Sequence, residues 1–174
     1  MKHLFAFALF FFIAANVTAQ IPEKVMDEKS QTIILVGATD PQFLTEGDFG
    51  ASYVSEFTNY LPDSSSIQQI SNLLAAENGT LKLTIVLGTW CGDSKEQVPR
   101  FYKVNSLLTS KFNEIEIIGV DRLKKAGSLD ISALKIEKVP TFIFFRNGTE
   151  IGRIVETPQN SIEKDILQLI SNKQ

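Results

Sequence analysis

Residues 81–88, Leu-Lys-Leu-Thr-Ile-Val-Leu-Gly, carry apolar β-formers on both faces of the pleat. A strand of that kind is too apolar for a sheet edge and belongs at the centre of a sheet covered on both sides. The chain around it has to supply neighbours and cover. Residues 115–120 form a second buried strand. Between the two, Val98, Phe101, Val104, Leu108 and Phe112 recur every three or four positions and predict a long amphipathic helix, with a kink expected at Pro99. Upstream, residues 32–36 read as a short strand ending at Gly37. Ser64, Ser65 and Ser66 precede Ile67, Ile70 and Leu74 at helical spacing, with Gln68 and Gln69 placed to complete capping boxes.

Downstream, residues 139–145 make a strand that opens on Pro140. Asn147-Gly148 separates it from another through Ile151, Ile154 and Val155, the pattern of a type I′ hairpin. Asn160 or Ser161 is expected to cap a terminal helix whose Ile162, Ile166, Leu169 and Ile170 share one face. Parallel crossovers followed by an antiparallel hairpin predict an α/β fold, a mixed central sheet of about four or five strands flanked by helices on both faces. One domain is expected over residues 32–174, its core at 81–172 and an N-terminal extension at 32–80. Residues 20–31, polar and without an apolar period, read as a flexible leader, and residues 39–62 as a loop with a short helix. Phe43, Phe49, Tyr53, Phe57 and Tyr60 in that stretch read as aromatics covering the core. Residues 121–138 read as an irregular or weakly helical crossover.

The amino-terminal residues carry a different signal. Residues 4–15 are an unbroken apolar run behind Lys2, the length of a secretory h-region and too short to span a bilayer. Val17-Thr18-Ala19 presents small residues to a signal peptidase. Cleavage after Ala19 is therefore expected, with export to the periplasm or extracellular space and no stable membrane anchor afterwards; an uncleaved amino-terminal anchor is the alternative. His3, the sole histidine of the 174 residues, leaves with that segment. Ser-His-Asp and Cys-His hydrolysis and imidazole metal ligation go with it. A formal charge of -3 and a pI of 5.2 argue against nucleic-acid binding. The single cysteine excludes an internal disulfide and four-thiolate zinc or iron–sulfur sites within one chain. Neither metal nor cofactor is expected.

That cysteine, Cys91, stands where the central strand ends and a helix begins. Unpaired amide donors and the positive end of the helix dipole stabilise a thiolate there. Lys95, on the same helical face, is expected to assist ionisation and Asp93 to oppose it. A buried, inert cysteine is the alternative that position alone leaves open.

Trp90-Cys91-Gly92-Asp93-Ser94 at the end of the central strand, Val139-Pro140-Thr141 further on, and the Asn147-Gly148 hairpin occur in the order seen in the thioredoxin superfamily. From residue 81 onward the chain resembles a secreted thioredoxin-family protein of the bacterial envelope. The resemblance implies a thioredoxin-like fold and a cis Pro140 facing Cys91. It also implies that the Val139 backbone pairs with an extended substrate and that Trp90 shields the thiol, with Gly92, Asp93 and Thr141 completing the substrate surface. Three departures limit it. Ser94 stands in place of the resolving cysteine and Asp93 in place of the usual proline. Ile85 and Ile117 replace the buried carboxylate and lysine that assist the second thiol.

A thiolate without a resolver forms a mixed disulfide that only an incoming thiol can break. The resulting expectation is a CxxS monothiol protein. Cys91 acts as nucleophile with Ser94 hydrogen-bonded to its sulfur, and protein disulfides or thiols and small-molecule thiols are its partners. Two other readings stay open: a non-enzymatic thioredoxin-fold module that holds clients, and a monothiol glutaredoxin-like protein using glutathione or sharing an iron–sulfur cluster between subunits.

Overall fold

The computed structural model describes residues 21–172. The expected signal segment lies outside them. In chain order the elements are β1 (Glu23–Asp27), β2 (Thr32–Ala38), a 3-10 turn (Pro41–Thr45), α1 (Gly47–Asn59), α2 (Ser64–Ala75) and β3 (Leu81–Leu87). There follow α3 (Gly92–Leu107), β4 (Glu114–Gly119), a 3-10 turn (Ser132–Leu134), β5 (Thr141–Arg146), β6 (Thr149–Val155) and α4 (Ile162–Ser171). The expected α/β class is the one the chain adopts. The mixed sheet has six strands, ordered β1-β2-β4-β3-β5-β6, where four or five were expected.

β3 is central, parallel to β4 and antiparallel to β5. Its pleat divides the molecule in two. Leu81, Leu83, Ile85 and Leu87 point into the larger core, where they meet residues of all four α-helices: Phe49 of α1, Ile70 of α2, Val98, Phe101 and Val104 of α3, and Ile162, Ile166 and Ile170 of α4. Phe101 is fully buried at its centre, with its ring centroid 5.8 Å from that of Phe142 and 6.4 Å from that of Phe112. Val86 points the other way and joins Ile118, Val120 and Val139 under Ala126, Ile131, Leu134 and Ile136. On this second face the cover is the crossover, irregular with one 3-10 turn as its sequence allowed, and the four α-helices pack into the larger core. The crossover holds itself by side-chain to backbone bonds, the Asp121 carboxylate accepting from the amides of Leu123 and Lys125 at 2.8 Å.

Two N-terminal expectations are corrected. Of the expected flexible leader, the described residues 21–31 are ordered, because β1 pairs antiparallel with β2 from Glu23↔Val36 to Asp27↔Thr32. Four of the five β1 residues are exposed, so the strand is held by backbone pairing and leaves no alternation of burial to read. Residues 39–62 contain a helix of thirteen residues. Gly50 hid it, since glycine weakens a helical pattern. Here it permits close approach, as a Cβ at Gly50 would lie 2.3 Å from the Thr45 carbonyl oxygen. Phe49 is buried, and Phe43, Tyr53 and Tyr60 pack against the core.

Helix entry uses an unexpected cap at α2 and the expected N-cap residue at α4. Asp63 caps α2, its carboxylate accepting from the Ser66 amide at 2.9 Å. At α4 the N-cap residue is Ser161, and Asp165 reaches back to accept from the amides of Gln159 and Asn160. Pro99 lies buried inside α3, with the helix continuous on both sides of it. The Asn147-Gly148 hairpin is as expected, with positive φ at both residues, 51° and 79°.

Candidate active site around Cys91

At the end of β3 the chain turns through Gly88, Thr89 and Trp90 into α3, with Cys91 as N-cap in an extended conformation. The Cys91 amide donates to the Gly88 carbonyl at 2.9 Å, and the Lys95 amide donates to the Cys91 carbonyl at 3.0 Å. The turn is anchored to the N-terminal strands, for Thr89 Oγ1 accepts from the Leu35 amide at 3.1 Å.

Cys91 is half-buried, and its thiol donates to the Val139 carbonyl at 3.2 Å. The Val139–Pro140 bond is cis. Two segments far apart in the chain therefore meet at the sulfur, the α3 N-terminus and the entry to β5. Thr141, buried in the next position, donates its hydroxyl to the Lys138 carbonyl at 2.7 Å and braces the bend.

Trp90 forms one wall. Its Nε1–H donates to the Val120 carbonyl at 2.9 Å, and its indole lies against Gly88, where a Cβ would come within 2.6 Å of the ring. Gly92 is exposed with open space where a side chain would be, and Asp93 is half-buried in the first turn of α3.

The structure revises two expected contacts. Ser94 is fully buried, and its Oγ accepts from the Gly88 amide at 3.2 Å, so the bond recorded for it is to the strand end and not to the Cys91 sulfur. A first-turn side chain at that position lies over the last peptide of β3 and satisfies its donor. Lys95 is drawn away as well, its ammonium forming an ion pair with Asp48 of α1. Beneath the site Ile85 and Ile117 are register partners on β3 and β4, both in the hydrophobic core. Among the described residues no three histidine, cysteine, aspartate or glutamate side chains are placed to share a metal ion.

Sequence reasoning missed Asp27 and Arg122. Arg122 follows β4 and lays its guanidinium over the Trp90 ring, 4.6 Å from the centroid. Asp27, buried at the end of β1, holds it through Nε–H and Nη2–H at 2.8 and 2.7 Å. Arg122 could have been singled out from its place. It stands just past the carboxyl end of the strand beside β3, and sites in open α/β sheets gather at such ends. Asp27 gave only a turn signal, its carboxylate accepting from the Ser30 amide at 2.9 Å.

The hydrogen bonds from Arg122 and then those from Ser30 hold the Asp27 carboxyl well below the usual carboxylate range. The sign follows directly. With the folded value depressed, the unfolded chain binds the extra proton, so the pair's contribution is complete above the ordinary value of 3.8 and is lost as pH falls below it. Chemical denaturation between pH 5 and pH 2 is expected to show a shallower loss of stability for Asp27→Asn than for the parent; equal slopes would show that the pair does not contribute.

A half-buried thiol at a strand-to-helix junction, set against a cis-prolyl bond in a mixed α/β sheet, defines a thioredoxin-like thiol protein. The thioredoxin family profile matches residues 70–168, and the chain belongs to the thioredoxin family. Among curated relatives, Thioredoxin H2-1 of Oryza sativa subsp. japonica is 30% identical over 101 residues, covering 56% of this chain and 67% of the relative. The thioredoxin of Oryctolagus cuniculus is 33% identical over 92 residues, 51% of this chain and 81% of that protein. A solved structure from Pseudomonas aeruginosa, described as a protein of unknown function, matches with a TM-score of 0.52 at 16% identity. The match covers 78% of this chain and 90% of that one, and it concerns the fold alone. Family membership supports a thiol-disulfide oxidoreductase-like role.

Proposed function

We propose that the chain is a monothiol thioredoxin-type protein of the cell envelope, exported by its amino-terminal segment, that forms mixed disulfides through Cys91. The carrying observation is the position of the sulfur, 3.2 Å from the Val139 carbonyl beside the cis bond, in a chain with one cysteine. The Cys91 thiolate attacks one sulfur of a client disulfide. A new S–S bond forms, the client bond breaks, and the departing client thiolate takes a proton from water. A second client thiol or a small-molecule thiol then attacks the mixed disulfide and returns Cys91 to the thiol. Trp90, Gly92 and Asp93 offer the surface around the sulfur, and the Val139, Pro140 and Thr141 turn the edge along which an extended client lies.

A second reading, a holding module for clients, is favoured by the same hydrogen bond. The bond keeps the sulfur engaged within the protein, and a surface that only holds clients needs no free thiol.

The test is covalent capture. Purified protein is incubated with a cysteine peptide carried as an aromatic disulfide and analysed by intact mass. One adduct per chain is expected, mapped to Cys91, with none on Cys91→Ser and full reversal by added dithiol. A folded parent that stays unmodified under conditions that modify a free cysteine peptide would leave the holding module as the function.

A further inference from the structure

Arg122 and Asp27 are absent from every motif that led to the site, yet they are built into it. The guanidinium lies on the indole that walls the thiol, and that indole is fixed from its other edge by the Val120 carbonyl. Nε and Nη2 are both committed to the Asp27 carboxylate, so the plane of the guanidinium is set by a residue of β1. The other cations around the thiol are paired with exposed or half-exposed carboxylates, Lys95 with Asp48 and Lys138 with Glu156. Asp27, in contrast, is 7% exposed, and Arg122 is the cation stacked on the Cys91 neighbour.

We propose that Arg122 is a positioning residue of the Cys91 site and Asp27 its built-in counter-charge. The pair holds Trp90 against the thiol and keeps the approach to the sulfur near electrical neutrality. Anionic and neutral disulfides then meet the sulfur on similar terms. The assignment deepens the mixed-disulfide function and rests on it for its biological meaning. The hydrogen bond to Asp27 first, and to a lesser degree the charge of a Cys91 thiolate, favour the protonated Arg122.

The guanidinium fork and the carboxylate fit each other in a bidentate way that lysine cannot reproduce. Their charges, however, act at a distance. Removing one partner therefore has two separable effects, on the position of the indole and on the sign of the local field.

The experiment compares alkylation of Cys91 by iodoacetate, an anion, with alkylation by iodoacetamide, its neutral analogue, in the full chain. The ratio of the two rates cancels the thiolate fraction and reads the field at the sulfur. Asp27→Asn leaves the guanidinium uncompensated and is expected to raise the ratio about two- to fivefold at low salt, the size of a partly screened unit charge. Arg122→Gln leaves the carboxylate uncompensated and is expected to lower it by a similar factor. Arg122→Lys restores the charge and is expected to return the ratio to within about twofold of the parent. Both shifts shrink in high salt. Trp90 is the single tryptophan, so its emission reports the indole directly. A change is expected in all three variants, including Arg122→Lys, because the stacking fork is lost.

Circular dichroism confirms folding, and if Arg122→Gln does not fold, Asp27→Asn and Arg122→Lys carry the test. Ratios that stay at the parent value, or that move the same way in Asp27→Asn and Arg122→Gln, overturn the assignment, since a merely structural loss opens the thiol equally to both reagents. No disulfide enters this measurement. Opposite shifts in a protein that never forms a mixed disulfide would refute the proposed function and leave the role of the pair. Unshifted ratios in a protein that captures clients would refute the pair alone.

Discussion

On the proposed mixed-disulfide function, Ser94→Cys is expected to turn a trap into a cycle. Position 94 lies one helical turn beyond Cys91, within the separation that a disulfide bridges. The new thiol attacks the Cys91 sulfur of a mixed disulfide, a bond forms between positions 91 and 94, and the client leaves as a thiolate. The protein is oxidised by two electrons and the client reduced by two. Under the capture conditions described above, adduct at steady state is expected to fall at least about tenfold, and an intact mass lower by two hydrogen atoms than the reduced variant to appear. The substitution also removes the hydroxyl that accepts from the buried Gly88 amide, a loss of about 1 kcal/mol that a denaturant titration reads. Adducts as persistent as the parent's would mean that position 94 does not reach the sulfur.

Ile85→Asp is expected to have the largest effect on stability. Ile85 is fully buried, its register partner is Ile117, and its core neighbours are hydrocarbon. A carboxylate introduced there loses the burial of the isoleucine and meets no partner, a cost of about 4 kcal/mol or more at neutral pH against a total near 5–15 kcal/mol for a domain. The pH dependence has the opposite sign to that of Asp27. Desolvation raises the folded pKa of the new acid, so the penalty grows as pH rises from the unfolded value toward the folded one and is relieved as pH falls toward 4. Adding Ile117→Lys is expected to recover part of the loss as a positive coupling in a double-mutant cycle. A variant as stable as the parent at pH 7 would show that water reaches beneath the site.

The parts of the fold that could be read in the sequence are those where burial or turn chemistry leaves a pattern. β3 is dominated by apolar β-formers and β4 carries Ile115, Ile117 and Ile118, Asn147-Gly148 forces a hairpin, and the stripe from Val98 to Phe112 recurs every three or four positions. The junction at Cys91 followed from strand and helix order. The cis bond did not follow from spacing and came from the family resemblance. Apart from α1, whose pattern Gly50 weakened, the larger misses depend on partners remote in sequence. β1 is exposed and exists because β2 pairs with it, and its Asp27 lies ninety-five residues from the Arg122 it holds. Lys95 was expected to serve the thiol because both lie on one helix. A long flexible side chain instead takes whichever carboxylate the tertiary fold brings near, here Asp48 from α1. Ser94 was expected to face the sulfur, but the unpaired Gly88 amide occupies its oxygen.

The paired isoleucines under the thiol have one more consequence. Hydrocarbon conducts no protons, so nothing can be relayed to or from the sulfur through the floor of the sheet. Every proton that Cys91 gives up or regains has to travel by the solvent side, past Trp90 and whatever client lies there. Under the proposed function, a client that covers the sulfur also governs its proton traffic.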